Sequence, residues 1–259
     1  MFSAFVMRPR EIGDLIDTYD QPAGGHFRGA GSAASRPVVS LRLGQRCEPQ
    51  AAVSVSGMPG NRWIELTERN PEHSSWYVER FRSMAAAGDD LGGEARFVDA
   101  MVPRRSRVLD AGCGPGRVGG HLTRAGHAVV GVDIDPVLIA AAEHDHPGGT
   151  WLVADLADLD LRTVGIAEGF DVVVCAGNVM TFLDPDTRRA VLDRLAAHLR
   201  AGGRIVTGFG SGRGYSFAAF LDDVAAVGLG AEVLLSTWDL RPFSPESDFL
   251  VAVLARDPA

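Results

Sequence analysis

Residues 108–116 read Val108-Leu109-Asp110-Ala111-Gly112-Cys113-Gly114-Pro115-Gly116, and residues 129–133 read Val129-Val130-Gly131-Val132-Asp133. The first stretch is a short apolar run that breaks into glycines. Glycine there lets the chain turn sharply from strand into helix and brings bare N–H groups close to a ligand. The second is another apolar run, and it ends on a carboxylate about twenty residues downstream, where a neighbouring parallel strand presents an acid to a ribose. Together the two stretches describe a pocket for an adenosine-containing ligand.

Strand and helix signals alternate on both sides of this pair. The pattern predicts strands over Arg107–Ala111, Ala128–Asp133, Trp151–Val153 and Phe170–Cys175. The last of these is largely apolar, as a strand covered on both faces requires. Helices are expected over Gly116–Ala125 and Pro136–Asp145, with Pro136 suited to a first helical turn. A further helix over Pro185–Arg200 is expected to stop at Gly202-Gly203, followed by a strand over Arg204–Gly208 and a helix over Ser216–Ala226. Two final strands, Ala231–Trp238 and Asp248–Leu254, are joined through Arg241-Pro242-Phe243-Ser244-Pro245. That turn is too short for a crossover helix, so the last strand must run antiparallel. The fold class is therefore α/β: a Rossmann-like, doubly wound, mostly parallel seven-stranded sheet with a C-terminal antiparallel hairpin strand and helices on both faces.

Three regions are expected. Residues 1–60 carry Gly24-Gly25, Gly29-Ala30-Gly31 and Ser32-Ala33-Ala34-Ser35 without a sustained period, and read as a poorly structured extension. A start at Met58 would place them upstream of the native protein, and a short helix over Glu11–Tyr19 is the one element they suggest. Residues 61–105 read as helical, with Trp76, Tyr77, Phe81 and Met84 at helical spacing and a second helix over Glu94–Met101 after Gly92-Gly93. Residues 106–259 form the ligand-binding core.

Composition narrows the chemistry. The net charge is -8 over 259 residues, which argues against a broad nucleic-acid surface. All 25 cationic side chains are arginine. Without lysine, a P-loop lysine, a Schiff-base lysine and a lysine general base are excluded. Cys47, Cys113 and Cys175 are too few and too scattered for a disulfide framework or a zinc cluster. With no apolar run of membrane-span length and no signal-peptide core, a cytoplasmic protein is expected, with no membrane partner and no metal.

Residues from about Asn70 to Arg256 resemble a class I S-adenosylmethionine-dependent methyltransferase of the small-molecule type. Asp110-Ala111-Gly112-Cys113-Gly114-Pro115-Gly116 looks like that family's D-x-G-x-G-x-G motif. The resemblance implies S-adenosylmethionine as cofactor, with Asp110 near the methionine amine and Gly112, Cys113 and Gly114 passing close to it. It also implies Asp133, with Ile134 beside it, on the ribose, and Asp155, with Leu156, on the adenine amine. Phe170-Asp171-Val172-Val173-Val174-Cys175-Ala176-Gly177-Asn178 resembles the family's fourth motif, which places Ala176, Gly177 and Asn178 beside the reactive methyl. Leu199-Arg200-Ala201-Gly202-Gly203-Arg204-Ile205-Val206 resembles the helix–glycine–strand element that follows.

Other readings of the same residues stay open. Gly114-x-Gly116-x-x-Gly119 also spells a dinucleotide fingerprint, so an NAD(P)-dependent oxidoreductase is one alternative. A non-catalytic protein that binds S-adenosylmethionine or S-adenosylhomocysteine is another. Asp155 and Asp135 both fit helix caps. Asp110 fits a role in tying down loop amides. Cys113 reads as a small packed residue.

Methyl transfer from a sulfonium needs alignment and exclusion of water before it needs a base. Acceptor-side groups are expected beyond the carboxyl ends of the strands. This gives His73, Asn178 and Tyr215 as catalytic candidates, and Trp76, Tyr77, Arg213, Trp238 and Arg241 on the substrate side. Arg213, in a glycine loop, suggests an acceptor with a carboxylate. Ala176-Gly177-Asn178-Val179-Met180 lacks the Asn/Asp-Pro-Pro-aromatic motif of nucleic-acid amino methylases, so a small-molecule acceptor is expected and nucleic acid is not. Monomer and homodimer remain equally open.

Overall fold

The computed structural model describes residues 60–256. The extension expected at the N-terminus, with its helix over Glu11–Tyr19, lies outside these residues, as does Cys47. Helices α1 (Arg62–Arg69), α2 (His73–Ala87) and α3 (Gly93–Met101) precede the sheet. Then come β1 (Arg107–Ala111), α4 (Arg117–Arg124), β2 (Ala128–Asp133), α5 (Pro136–Asp145), β3 (Thr150–Val153) and β4 (Phe170–Cys175). The chain continues through α6 (Val179–Phe182), α7 (Arg188–Ala197), β5 (Leu199–Gly210), α8 (Phe217–Ala226), β6 (Leu229–Leu235) and β7 (Phe249–Arg256).

The seven strands lie in the order β3-β2-β1-β4-β5-β7-β6. The first five are parallel, and β7 runs antiparallel between β5 and β6. The sheet and its antiparallel finish are those the sequence led us to expect. Alternate residues of each central strand feed opposite faces. Leu109, Val173 and Ile205 face a core closed by Val191, Leu192 and Leu195 of α7 and Phe220 of α8. Val108, Val174 and Val206 face a second core closed by Val98 of α3, Leu122 of α4 and Ile139 of α5. Both faces are covered, so the central strands read as continuous apolar runs.

Three expectations need correction. The helix expected over Pro185–Arg200 is a 3₁₀ turn at Pro185–Thr187 followed by α7, which ends at Ala197. His198 ends it: Nδ1 contacts the Arg194 carbonyl at 2.7 Å, Nε2 accepts from the Leu161 N–H at 3.1 Å, and its carbonyl accepts from Phe170 N–H at 2.9 Å. Gly202-Gly203 therefore lies inside β5, which starts at Leu199, opposite an irregularity between Phe170 and Val172. The closing strands are displaced to Leu229–Leu235 and Phe249–Arg256, because β7 continues pairing with β5 as far as Ala255. Helix α1 lies within the stretch 61–105 expected to be helical; an Asn61 cap to Trp63 and Ile64 N–H starts it, and its Trp63, Ile64 and Leu66 are half-buried. Among the described residues no helix is long and apolar enough to cross a membrane.

Candidate active site

The glycine turn after β1 is built by contacts on three sides. Gly112 sits at φ +73°, and a Cβ there would fall 2.5 Å from Val179 at the start of α6. Only glycine lets the turn and α6 approach this closely. Gly112 and Cys113 N–H groups donate to the Val132 carbonyl at 2.8 and 3.0 Å, which fastens the turn to β2. From behind, the buried Trp151 indole of β3 lies across Gly131 and against Gly119, where a Cβ would sit 2.8 Å from the ring. Its N–H donates to the His146 carbonyl at 2.9 Å.

Three carboxylates organise the strand ends. Asp110 accepts from Gly119 N–H at 2.7 Å, so it holds the first turn of α4. Asp133 accepts from Gly114 N–H at 2.8 Å through one oxygen and from Asp135 N–H at 3.0 Å through the other. Asp135 caps α5, accepting from Val137 N–H at 2.8 Å and Leu138 N–H at 3.4 Å. Burial pushes the Asp110 carboxyl up to about 7, against the Gly119 amide that favours its charged form. Burial likewise pushes Asp133 up to about 6, against the Asp135 and Gly114 amides.

These groups open onto a cleft between the glycine turn and the N-terminal helices. One wall is the glycine turn with Asp110 and Asp133. The rest of the lining is largely aromatic and apolar: Trp63, Tyr77 and Phe81 from the N-terminal helices, with Val179, Phe182 and Leu183. Tyr77 packs edge-on against both Trp63 and Phe81, with ring centroids 5.2 and 5.0 Å apart. Burial pushes the Tyr77 phenol up to about 12, so at neutral pH it is a hydrogen-bond donor. Arg117 also lines the cleft. Its guanidinium grips Glu94 with two bonds of 2.6 and 2.8 Å, donates to the Leu91 carbonyl at 2.7 Å and lies 5.5 Å from the centre of the Phe81 ring. Burial alone would raise the Glu94 carboxyl, but the Arg117 charge and hydrogen bonds bring it below its ordinary range.

The fold has a close counterpart. A TehB-like S-adenosylmethionine-dependent methyltransferase from Corynebacterium glutamicum is 49% identical, with a TM-score of 0.68, over 73% of this chain and 100% of its own. The chain belongs to the S-adenosylmethionine-dependent methyltransferases. A methyltransferase-domain family model matches residues 108–203, from β1 into β5. Among curated relatives, a ubiquinone biosynthesis O-methyltransferase of Xanthomonas axonopodis is 31% identical over 144 residues, 49% of this chain and 58% of the relative. A carboxy-S-adenosyl-L-methionine synthase of Chromohalobacter salexigens is 29% identical over 136 residues, 48% of this chain and 47% of the relative. The chain thus spans about half the length of the curated relatives it matches.

Of the cofactor-side residues expected in this methyltransferase, Asp110, Gly112, Cys113, Gly114, Asp133, Ala176 and Gly177 line the cleft. Ile134, Asp155, Leu156 and Asn178 stand outside that lining. Asp155 accepts from Ala157 N–H at 2.9 Å and starts a 3₁₀ turn, and Leu156 is buried in the core. Asn178 is buried at φ 65° and accepts from Gly210 N–H at 2.8 Å. His73 is buried, 5.1 Å from Trp63 and 5.6 Å from Trp76, and burial lowers its pKa against the opposing charge of Asp135. Tyr215 donates to Asp223 at 2.7 Å under the Arg188 guanidinium, in the core around Phe209.

On the substrate side the structure places Tyr77 in the cleft wall. Trp76 stacks on His73, and Trp238 packs edge-on against Phe97 at 5.6 Å. Arg241 is exposed beside Asp239, and the Arg213 carbonyl accepts from Arg62 at 3.1 Å. The sequence reading missed Asn61, Trp63, Arg117, Leu138, Phe182 and Leu183 as lining residues. Arg117 carried a signal, since it directly follows the glycine run. The others reach the cleft only through tertiary packing.

Proposed function

We propose that this chain transfers a methyl group from S-adenosylmethionine to a small-molecule acceptor and releases S-adenosylhomocysteine. The observation that carries the reading is one cleft lined by a glycine turn, two buried carboxylates and a set of aromatic side chains. The residues present fit the cofactor. Two carboxyls held near neutrality by burial, Asp110 and Asp133, suit a ligand that brings an ammonium and ribose hydroxyls, because both relieve the cost of a buried carboxylate. Gly112 and Gly114 leave room where a side chain would stand. When bound, S-adenosylmethionine supplies a methyl group already activated on sulfur.

The work left to the protein is alignment and dryness. Trp63, Tyr77, Phe81 and Phe182 exclude water from the acceptor end, which favours an in-line displacement. The titratable side chains lining the cleft are Tyr77, Asp110, Cys113, Arg117 and Asp133. Tyr77, with its raised pKa, serves to donate a hydrogen bond. The helices of residues 61–105 act as the acceptor-side cover over the cofactor-binding core.

Calorimetry with S-adenosylhomocysteine tests the reading. Wild type is expected to bind, and Asp133→Ala to bind about 1–3 kcal/mol more weakly, because ribose donors lose a charged acceptor. Equal affinity would refute the ribose assignment. Release of S-adenosylhomocysteine with a panel of thiols, phenols and amines then separates an enzyme from a protein that only binds the cofactor.

A further inference from the structure

Asp135 does more than cap a helix. Its two oxygens are divided between two tasks. One accepts from Val137 and Leu138 N–H and starts α5. The other accepts from the Trp63 indole N–H at 2.8 Å and from the Ser74 hydroxyl. Those two donors belong to α1 and α2, 72 and 61 residues away in sequence. The carboxylate is only 7% exposed. An asparagine oxygen would serve the cap as well. The second oxygen therefore needs its own explanation.

The position of this residue supplies one. The Asp135 N–H donates to Asp133, whose other oxygen holds Gly114 of the glycine turn. An unbroken chain of hydrogen bonds thus runs from the glycine turn through Asp133 and Asp135 to Trp63 and Ser74. The helices at its far end carry Trp63, Tyr77 and Phe81, the aromatic wall of the cleft. Beneath them Leu138 packs with Val78 and Ala141 in a small apolar cluster that Trp63 and Tyr77 cover. Helix α1 has no fully buried residue; Trp63 packs on this cluster, and its indole N–H is the group tied to Asp135. We propose that Asp135 is a positioning residue that latches the acceptor-side helices to the ribose-side turn, so that filling the cofactor site tightens the aromatic wall.

The coupling half of this proposal rests on the methyltransferase reading, and the latch half does not. Hydrogen exchange by mass spectrometry on the full chain tests both, with Asp135→Asn as the main variant. Asparagine keeps an acceptor for the α5 cap and cannot accept from both Trp63 and Ser74 with its amide nitrogen. Without ligand, residues 62–69 and 73–81 are expected to exchange roughly ten- to hundred-fold faster than in wild type, with residues 136–145 unchanged. Trp63→Phe, which removes one donor and keeps the carboxylate, is expected to accelerate residues 62–69 in the same direction. It also preserves the test should the first variant fail to fold. Exchange in residues 62–69 equal to wild type, or fraying of 136–145 to the same extent, would overturn the latch. With saturating S-adenosylhomocysteine, residues 62–69 are expected to gain protection in wild type and to gain none in Asp135→Asn, although calorimetry shows both proteins bound. Equal protection in both would overturn the coupling. If wild type failed to bind S-adenosylhomocysteine at all, the proposed function would fall, and the ligand-free comparison would still decide the latch.

Discussion

Replacing Glu94 by glutamine isolates what the Glu94–Arg117 pair does beneath the cleft. The side chains are 7% and 13% exposed and meet through two bonds of 2.6 and 2.8 Å. Glutamine keeps the shape and one acceptor but leaves the guanidinium charge without its counter-ion. Breaking a buried pair in this way costs about 3–5 kcal/mol, because the remaining charge stays desolvated. The bond from Arg117 to the Leu91 carbonyl survives, which puts the expected loss near the lower end, about 3 kcal/mol. For a folded unit of this size that corresponds to a drop in melting temperature of roughly 6–12 °C. Urea titration followed by tryptophan fluorescence measures it directly. The double variant Glu94→Leu with Arg117→Met is expected to recover most of the loss, since an apolar pair of similar volume needs no compensation. A Glu94→Gln loss below about 1 kcal/mol, or a double variant no better than the single, would refute the reasoning.

Two further outcomes follow from the carboxylates and the glycine turn. Burial raises the folded-state carboxyl of Asp110 to about 7, so its charged form is disfavoured in the folded protein; the resulting penalty is absent at low pH and grows as pH rises towards that value. Asp110→Asn, which keeps an acceptor for Gly119, is therefore expected to gain stability over wild type as pH rises from about 4 to 7, by about 4 kcal/mol at most, and to hold that gain above pH 7; melting curves in which the difference stays flat across that window would contradict this. Gly112→Ala combines a φ of +73° with a Cβ 2.5 Å from Val179, and is expected to cost about 2–5 kcal/mol. Adding Val179→Ala should return the steric part and leave the backbone strain, so a double variant with full wild-type stability in urea would show that strain is negligible there.

The parts of this molecule legible in the sequence are those written locally. Strands β1, β2 and β4 and helix α5 fall on the residues expected, because two-faced burial makes continuous apolar runs and Pro136 marks a first turn. The glycine turn and Asp133 were readable for the same reason. Long-range contacts were not. His198 ends α7 through partners at Leu161 and Phe170, which no window around residue 198 contains. Asn178 and Tyr215 look like polar groups free for chemistry, yet Gly210 and Asp223, at 32 and 8 residues' distance, occupy them. The aromatic lining was half visible: Tyr77 and Phe81 keep helical spacing, whereas Trp63 enters the cleft from the short helix before them, ahead of the regular pattern that starts at Asn70.

The tryptophan behind the glycine turn has a consequence for how this sequence can drift. A side chain at Gly119 or Gly131 would run into Trp151, and a Cβ at Gly149 would sit 2.7 Å from the same ring. A smaller residue at position 151 would leave a void beneath the turn, and a side chain at any of the three glycines would need the indole to move. The three glycines and the indole therefore constrain one another. Because Trp151 belongs to β3, which among the described residues pairs with β2 alone, an edge strand of the sheet shares in setting where the ligand-binding turn stands.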